Sequence, residues 1–520
     1  MLAAMPPTPQ PPVKRDETPG REPVGDADVA PVRDAVVVPA GDADVAPVRE
    51  VAPVPVRDAL RDAAVAPVRE RGDACPGALR LHSADDGRLA RLRLPGGLLT
   101  YRQAEALAVA AERLGDGHLD ITSRGNIQLR GLGAACGGEL EALLDAAGLL
   151  PSPEHERVRN IVASPLCGLD GPASAPRPGP APVREVPSGN AQLWARELDA
   201  LLCASPAATA LSGRFLFALD DGRGDVAALG ADVTLLARAD GGATVHIGAN
   251  HPGVRVSAAD APRAALLAAE TFVAEANGTG TGAWRVRELP DGGRELAGAL
   301  AARLTKAGIE ARQYEPTAPT ASQEPWPYAA PPPPGRIASP DGTVALSVHA
   351  PLGRLSAEQW RLLLSESGTG ELRVTPWRGV IIPGLPPAAA DALRDRLRTA
   401  GLITTPDSPW HGVGACTGRP GCAKALADVR SDAADALAAD VTVAGAASRD
   451  ALPVYWSGCA RRCGHPGGAW VDVVATEAGD YTVSVHGHGV PQPTAPATTT
   501  RPRLPTTVAT ARTRSTTVTK

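Results

Sequence analysis

Eight cysteines occur in the 520-residue chain, and four of them lie together as Cys416-x5-Cys422 and Cys459-x3-Cys463. Clustering of that kind points to a metal rather than to disulfides. Gly414, Gly418, Gly421, Gly458 and Gly464 crowd the same loops. Glycine lets the backbone approach closely and turn its amides toward an anionic iron–sulfur cluster, whose sulfurs accept those hydrogen bonds. A zinc site is the rival, but zinc knuckles usually place two to four residues between ligands, and five is awkward for that. Cys75, Cys136, Cys167 and Cys203 are scattered and read as small buried hydrophobes.

Arginines at turns form the second group. An internal duplication places them. The first copy contains PGGLLTYRQAEALAVAAERL followed by LDITSRGNIQLRGL; the second contains PLGRLSAEQWRLLLSESG followed by LRVTPWRGVIIPGL. Each opens a helix with a capping box, Thr100 with Gln103 and Ser356 with Gln359. Each continues into an alternating strand, an Arg-Gly turn (Arg124-Gly125, Arg378-Gly379) and a second strand. Both copies then carry a helix ending in Ala-Gly-Leu. One copy alone would leave a sheet face and edges open, whereas two can pair pseudo-symmetrically and bring their arginine turns around one site. The expected fold class is therefore α+β, two ferredoxin-like half-domains paired in this way, each followed by a larger α+β domain.

The remaining composition bounds the function. Gly 55 and Pro 52 make about a fifth of the chain, which predicts long irregular stretches. Residues 1–72 repeat GDADVAPVR and have no aromatic residue, so a disordered low-complexity extension is expected. Half-domain 1 is placed at 73–150, an α+β domain at 151–314, a linker at 315–338, half-domain 2 at 339–405, a cluster domain at 406–489 and a flexible basic tail at 490–520. Within the cluster domain a helix is expected over 423–439. The formal net charge of -5 argues against a nucleic-acid partner. With no apolar run long enough to span a bilayer and no signal-peptide pattern at the start, a cytoplasmic protein without a membrane partner is expected.

TSRGNIQL (122–129), RNIVASPLCG (159–168), LSGRFLFAL (211–219) and the two cysteine pairs, in this order, resemble the nitrite/sulfite reductase fold family over about 75–490. Within it, CPGALRLHSADDGRLARLRLPGG, VHAPLGRL, LRVTPWRGVIIPG and WSGCARRCGHP look most like the precorrin-3B synthase branch. That resemblance implies a [4Fe–4S] cluster on the four cysteines, a non-haem iron, and NADH as the ultimate electron source. The implied reaction is an oxygen-dependent monooxygenation of precorrin-3A, with hydroxylation at the meso carbon between rings A and D and closure of a γ-lactone, in aerobic cobalamin biosynthesis. No GxGxxG follows a strand, so a ferredoxin or reductase partner is expected to deliver the electrons.

The family's reductases surround a small oxyanion with four cationic side chains. Arg124 and Arg159 match two of them, while the lysine pair flanking a phenylalanine becomes Arg214-Phe215-Leu216. An apolar Leu216 suits neutral dioxygen better than sulfite. Arg124, Arg159, Arg214 and Arg378 would instead pair with a tetrapyrrole's carboxylates, with Asn126 and Asn160 as further substrate contacts. The alternative for each is a solvated or salt-bridged residue, and for Asn160 a turn cap. Arg124 and Arg159 are also the expected catalytic groups, with His411 as candidate iron or substrate ligand, because no pair among the ten histidines has an obvious metal-binding spacing. Two other readings stand beside this one: a siroheme-dependent sulfite or nitrite reductase, and a non-catalytic tetrapyrrole carrier or sensor.

Overall fold

The computed structural model describes residue 73 and residues 75–170, 190–248, 252–314, 331–365, 369–441, 451–487 and 497–513. The extension expected over 1–72 and the linker residues 315–330 lie outside these.

Alternating apolar residues build two matching five-stranded sheets. The first runs in the order His82–Ala84, Gly87–Leu92, Ile127–Leu132, His118–Ile121, Arg354–Ser356. The second runs Gly335–Ala338, Val344–His349, Gly379–Leu385, Glu371–Val374, Leu98–Thr100. Each copy therefore donates its short strand before the capped helix to the other copy's sheet. Leu99 stands opposite Leu372, and Leu355 opposite Leu119. This exchange covers the edges that either copy would leave open. Both capping boxes form. The helices they start, Tyr101–Leu114 and Ala357–Leu362, pack together, with Trp360 Nε1 donating to Ala104 O at 2.9 Å. One apolar core runs through both copies, from Leu107 and Leu129 to Trp360 and Ile382.

Residues 151–314 form a six-stranded sheet in which Ile161–Ala163, Phe217–Asp220 and Val233–Ala237 run parallel and three strands continue antiparallel. Helices Ala191–Ala204, Ala261–Gly278 and Leu296–Lys306 share its core. The last unit has strands Val413–Ala415, Val454–Ser457, Trp470–Ala475, Tyr481–His486 and Ala497–Thr499. The first three are parallel neighbours.

Three boundaries differ from expectation. The linker ends earlier, because Gly335–Ala338 is already an edge strand bonded to Val344–His349. The helix expected over 423–439 is Val429–Val441. Before it, Leu426 N donates to Gly458 O and Arg419 N to Ala427 O, so that backbone bonds the cysteine loops instead of a helix. The tail is a correction of larger kind: Ala497–Thr499 pairs with Tyr481–Val483, and helix Leu504–Thr513 buries Leu504 and Val508 in the core of this unit. β-Branched threonines suit a strand, and apolar residues four apart give a helix one burying face.

Candidate functional site

Strands Val413–Ala415 and Val454–Ser457 lie side by side and parallel, so both deliver their following cysteine loops to the same end of the sheet. Cys416 N bonds Trp456 O at 2.9 Å, which ties the two loops at their base. Gly458 N donates to Cys416 Sγ at 3.2 Å. A Cβ on Gly458 would stand 2.7 Å from Ala425 Cβ, so the close approach there requires glycine. All four cysteines are free thiols, three half-buried and Cys463 exposed. Burial pushes the Cys416 thiol up; the Gly458 and Gly418 amides oppose this, and the nearby Cys463 and Cys422 reinforce it.

This donor set fits an iron–sulfur cluster. Among the described residues no three of these thiols lie within 4.8 Å of one another. Sulfurs on one tetrahedral zinc ion stand about 3.8 Å apart, given bonds of about 2.3 Å. The wider spread suits thiolates that each bind a different iron, with amides bonding sulfur.

Against the Cys463 loop lies a cavity of about 580 Å³, within the size range of cofactor pockets. Tyr455 forms the wall between them: its hydroxyl donates to Cys463 O at 2.6 Å while the ring lines the cavity. Arg378 completes the junction, donating to Gly464 O at 2.5 Å and to the Tyr455 hydroxyl at 3.3 Å. Among the described residues five arginines line the cavity (Arg124, Arg285, Arg287, Arg378, Arg512), and no aspartate or glutamate does. Arg124 is half-buried and its guanidinium is lowered to about 10, by desolvation first and then by Arg285, so it remains charged at neutral pH. Its guanidinium donates to Arg214 O at 3.2 Å. Such a cavity calls for an anionic ligand.

The sequence-derived candidates divide. Arg124, Arg378 and His411 line this cavity. Arg159 does not: it forms a bidentate ion pair with Asp199 (2.6 and 2.7 Å) and bonds Leu149 O. Its partner, Asp199, is on helix Ala191–Ala204, whose side chains the strand pattern around residue 159 gave no means of placing. Asn126 and Asn160 are likewise corrected. Asn126 accepts from Leu94 N and donates to Asn160 Oδ1, and Asn160 Nδ2 in turn donates to Phe215 O. These two amides are buried bridges between chain segments, not wall groups. Arg214 is exposed and stacks over Trp284 at 4.8 Å. Leu216 does line the cavity, with Trp377 beside it in a small apolar cluster.

The two Arg-Gly turns also do not superpose residue for residue. Gly125 N bonds Thr122 O, and Arg378 N bonds Thr375 O. Arg378 thus stands where Gly125 does, in the same left-handed conformation (φ 60° and 65°). A left-handed arginine is strained by order 1–3 kcal/mol. Here it aims a guanidinium at the cluster loop.

Missed by the sequence reading were Arg285, Arg287, Arg512 and His349. Arg285 is ion-paired to buried Asp232 at 2.5 Å, while Arg287 is exposed. Arg512 belongs to the segment read as tail. His349 sits in VHAPLG, a quoted motif, and its ring centroid is 5.9 Å from that of His411. Burial first, then His411, lowers His349 to about 4; burial also lowers His411.

Comparison with known proteins fits this geometry. The nitrite/sulfite reductase ferredoxin-like half domain matches twice, at residues 82–147 and 337–400. A precorrin-3B synthase of Sinorhizobium sp is 27% identical over 83% of this chain and 86% of its own length. A ferredoxin–nitrite reductase of Synechococcus elongatus is 28% identical over 73% of this chain and 74% of its own. The structure of the Mycobacterium tuberculosis NirA protein superposes with a TM-score of 0.61 at 18% identity, over 81% of this chain and 79% of that one.

Proposed function

We propose that this chain, which has the duplicated fold of the nitrite/sulfite reductase family, is an oxidoreductase of the precorrin-3B synthase type. In this reading the carrying observation is the cavity itself: among the described residues it has five arginines, no carboxylate side chain, and a wall shared with the Cys463 loop. A flat macrocycle bearing carboxylates complements both its charge and its apolar surface. The similarity to a precorrin-3B synthase over most of both chains supports the same substrate class.

Cys416, Cys422, Cys459 and Cys463 would hold the [4Fe–4S] cluster, which when bound supplies single electrons beside the cavity. A mononuclear iron, as the resemblance implies, would supply the oxygen chemistry. The chain's own residues do the rest. Arg124 and Arg378 orient the substrate by pairing with its carboxylates, so that one meso carbon faces the reacting centre. Leu216 and Trp377 keep that region apolar. In the balanced reaction one atom of dioxygen enters the macrocycle and the other leaves as water. Two electrons and two protons come from NADH and solvent, through a ferredoxin or reductase partner. The ring acetate then closes the γ-lactone.

The siroheme sulfite or nitrite reductase reading is weaker at one point. Of the four positions expected to surround a small anion, Leu216 is apolar, Arg159 is paired with Asp199 and Arg214 is exposed; Arg124 remains. Anaerobically purified chain with its cluster, incubated with precorrin-3A, reductant and isotopically labelled oxygen gas, tests the proposal. The expected product is heavier by one labelled oxygen atom. Absence of that product with acid-labile sulfide intact would overturn it, and strong porphyrinoid absorption of the purified chain would favour siroheme.

A further inference from the structure

Arg378 stands between the cavity and the cluster loop, and its backbone is strained to put it there. It turns a tight corner at φ 60°, a conformation that few residues with a Cβ adopt. Three glycines clear the slot that its side chain shares with the Tyr455 ring. A Cβ on Gly353 would stand 2.5 Å from Arg378 Cδ, and one on Gly414 would stand 2.9 Å from Tyr455 Cδ2. One on Gly464 would lie 3.1 Å from both Arg378 Nη2 and the Tyr455 hydroxyl.

In that slot the guanidinium donates to Gly464 O at 2.5 Å and to the Tyr455 hydroxyl at 3.3 Å, with its carbon 5.2 Å from the centre of the tyrosine ring. Tyr455 is buried on strand Val454–Ser457 and donates its own proton to Cys463 O at 2.6 Å. Burial pushes that hydroxyl up to about 12, so it remains a donor at neutral pH. One arginine–tyrosine pair therefore holds two successive carbonyls of the loop that carries Cys463. The other side of the same guanidinium faces a cavity that no aspartate or glutamate among the described residues lines.

We infer that Arg378, positioned by Tyr455, couples occupancy of the cavity to the reduction potential of the cluster: an anionic ligand held by Arg378 lowers that potential. Reduction adds one negative charge to the cluster, and a cation tied to the Cys463 loop stabilises it. A carboxylate that pairs with Arg378 cancels this field. An electron then leaves the cluster more readily with the cavity filled than with it empty, so dioxygen entering an empty cavity meets a weaker reductant. The coupling is reciprocal, and the ligand binds the oxidised chain more tightly than the reduced one. In taking the substrate's carboxylate as that anion the inference rests on the function proposed above; as a link between Arg378 and the cluster it does not.

The test uses the full chain with its cluster in place, titrated under argon with dithionite and followed by electron paramagnetic resonance of the reduced cluster. Without ligand, Arg378→Asn is expected to lower the midpoint potential; asparagine tolerates the left-handed backbone, so the change removes charge without adding strain. Arg378→Lys should restore most of the difference, and Tyr455→Phe, which keeps the ring, should fall between. Precorrin-3A, and separately uroporphyrin as an unreactive macrocycle bearing carboxylates, should lower the wild-type midpoint by 59 mV or more, which is tenfold tighter binding to the oxidised chain. In Arg378→Asn that shift should be less than half as large. An unliganded midpoint unchanged in Arg378→Asn with acid-labile sulfide intact, or a wild-type midpoint that bound macrocycle leaves unmoved or raises, would overturn the inference. Should Arg378→Asn lose its sulfide, the wild-type shift and Tyr455→Phe decide. Shifts as expected, with no oxygenated product once oxygen gas is admitted, would sink the proposed function alone. Turnover of precorrin-3A with no shift would sink this link alone.

Discussion

Arg124 carries a positive charge at the wall of a cavity that no aspartate or glutamate among the described residues lines, and the nearby Asp232 is already ion-paired with Arg285. A charged hydrogen bond of that kind is worth about 1.5–3 kcal/mol. Arg124→Gln should therefore raise the KM for the macrocycle by roughly tenfold to a hundredfold, with a smaller change in kcat, as steady-state kinetics would read. Arg159→Gln should behave differently. It leaves Asp199 without its bidentate partner, so the loss should appear as a lower melting temperature and not as a KM effect. Cys459→Ser should remove acid-labile sulfide altogether. A further residue-level expectation concerns Asp225, whose carboxyl burial and neighbouring Asp220 raise to about 7. The folded state then binds a proton that the unfolded state has released, so stability should fall as pH rises from about 4 to 7. Asp225→Asn should flatten that slope and raise the melting temperature by a few degrees at pH 8; an unchanged slope would exclude Asp225 as its source.

At the scale of elements, the exchange of Leu98–Thr100 and Arg354–Ser356 between the two copies decides where the arginine turns meet. The chain enters the first of these strands through Gly97, which has φ 71° and whose Cβ, if present, would lie 1.9 Å from Val374 O. Gly97→Ala is expected to cost more than about 2 kcal/mol, by clash and by backbone conformation together. Chemical denaturation would measure it. Arg361 spans the same junction from the other side, pairing with Glu105 and Glu112, but this network is largely exposed and contributes little to stability.

At the scale of the whole molecule, the cavity draws on every unit: Arg124 from the first copy, Arg285 and Arg287 from the six-stranded unit, Arg378 and His349 from the second copy, Tyr455 from the cluster unit. Residues 497–513 close it, because Arg512 donates to Leu452 O and to His411 O. Deleting everything after residue 496 exposes the surfaces under Leu504 and Val508. The expected cost is about 3–4 kcal/mol. An unaltered melting temperature would contradict the packing of this segment. No helix among the described residues is long and apolar enough to cross a membrane.

Thiol spacing, loop glycines and a repeated helix-cap pattern are local signals, and they were enough to indicate the duplication and the α+β class and to single out the two cysteine loops. Local patterns fail where a side chain's partner lies far along the chain. Arg159 looked like a site residue until Asp199 took it, and Asn126 until it met Asn160. Arg378 seemed to repeat Arg124, yet it occupies the position of Gly125, because turn geometry is set by hydrogen bonds and not by matching letters. His349 and His411 had no recognisable spacing, since their proximity is made by two elements converging on one wall. Charge and spacing belong to the sequence; which groups remain unpaired, and therefore available to a ligand, is decided only when the fold has matched every other donor with its acceptor.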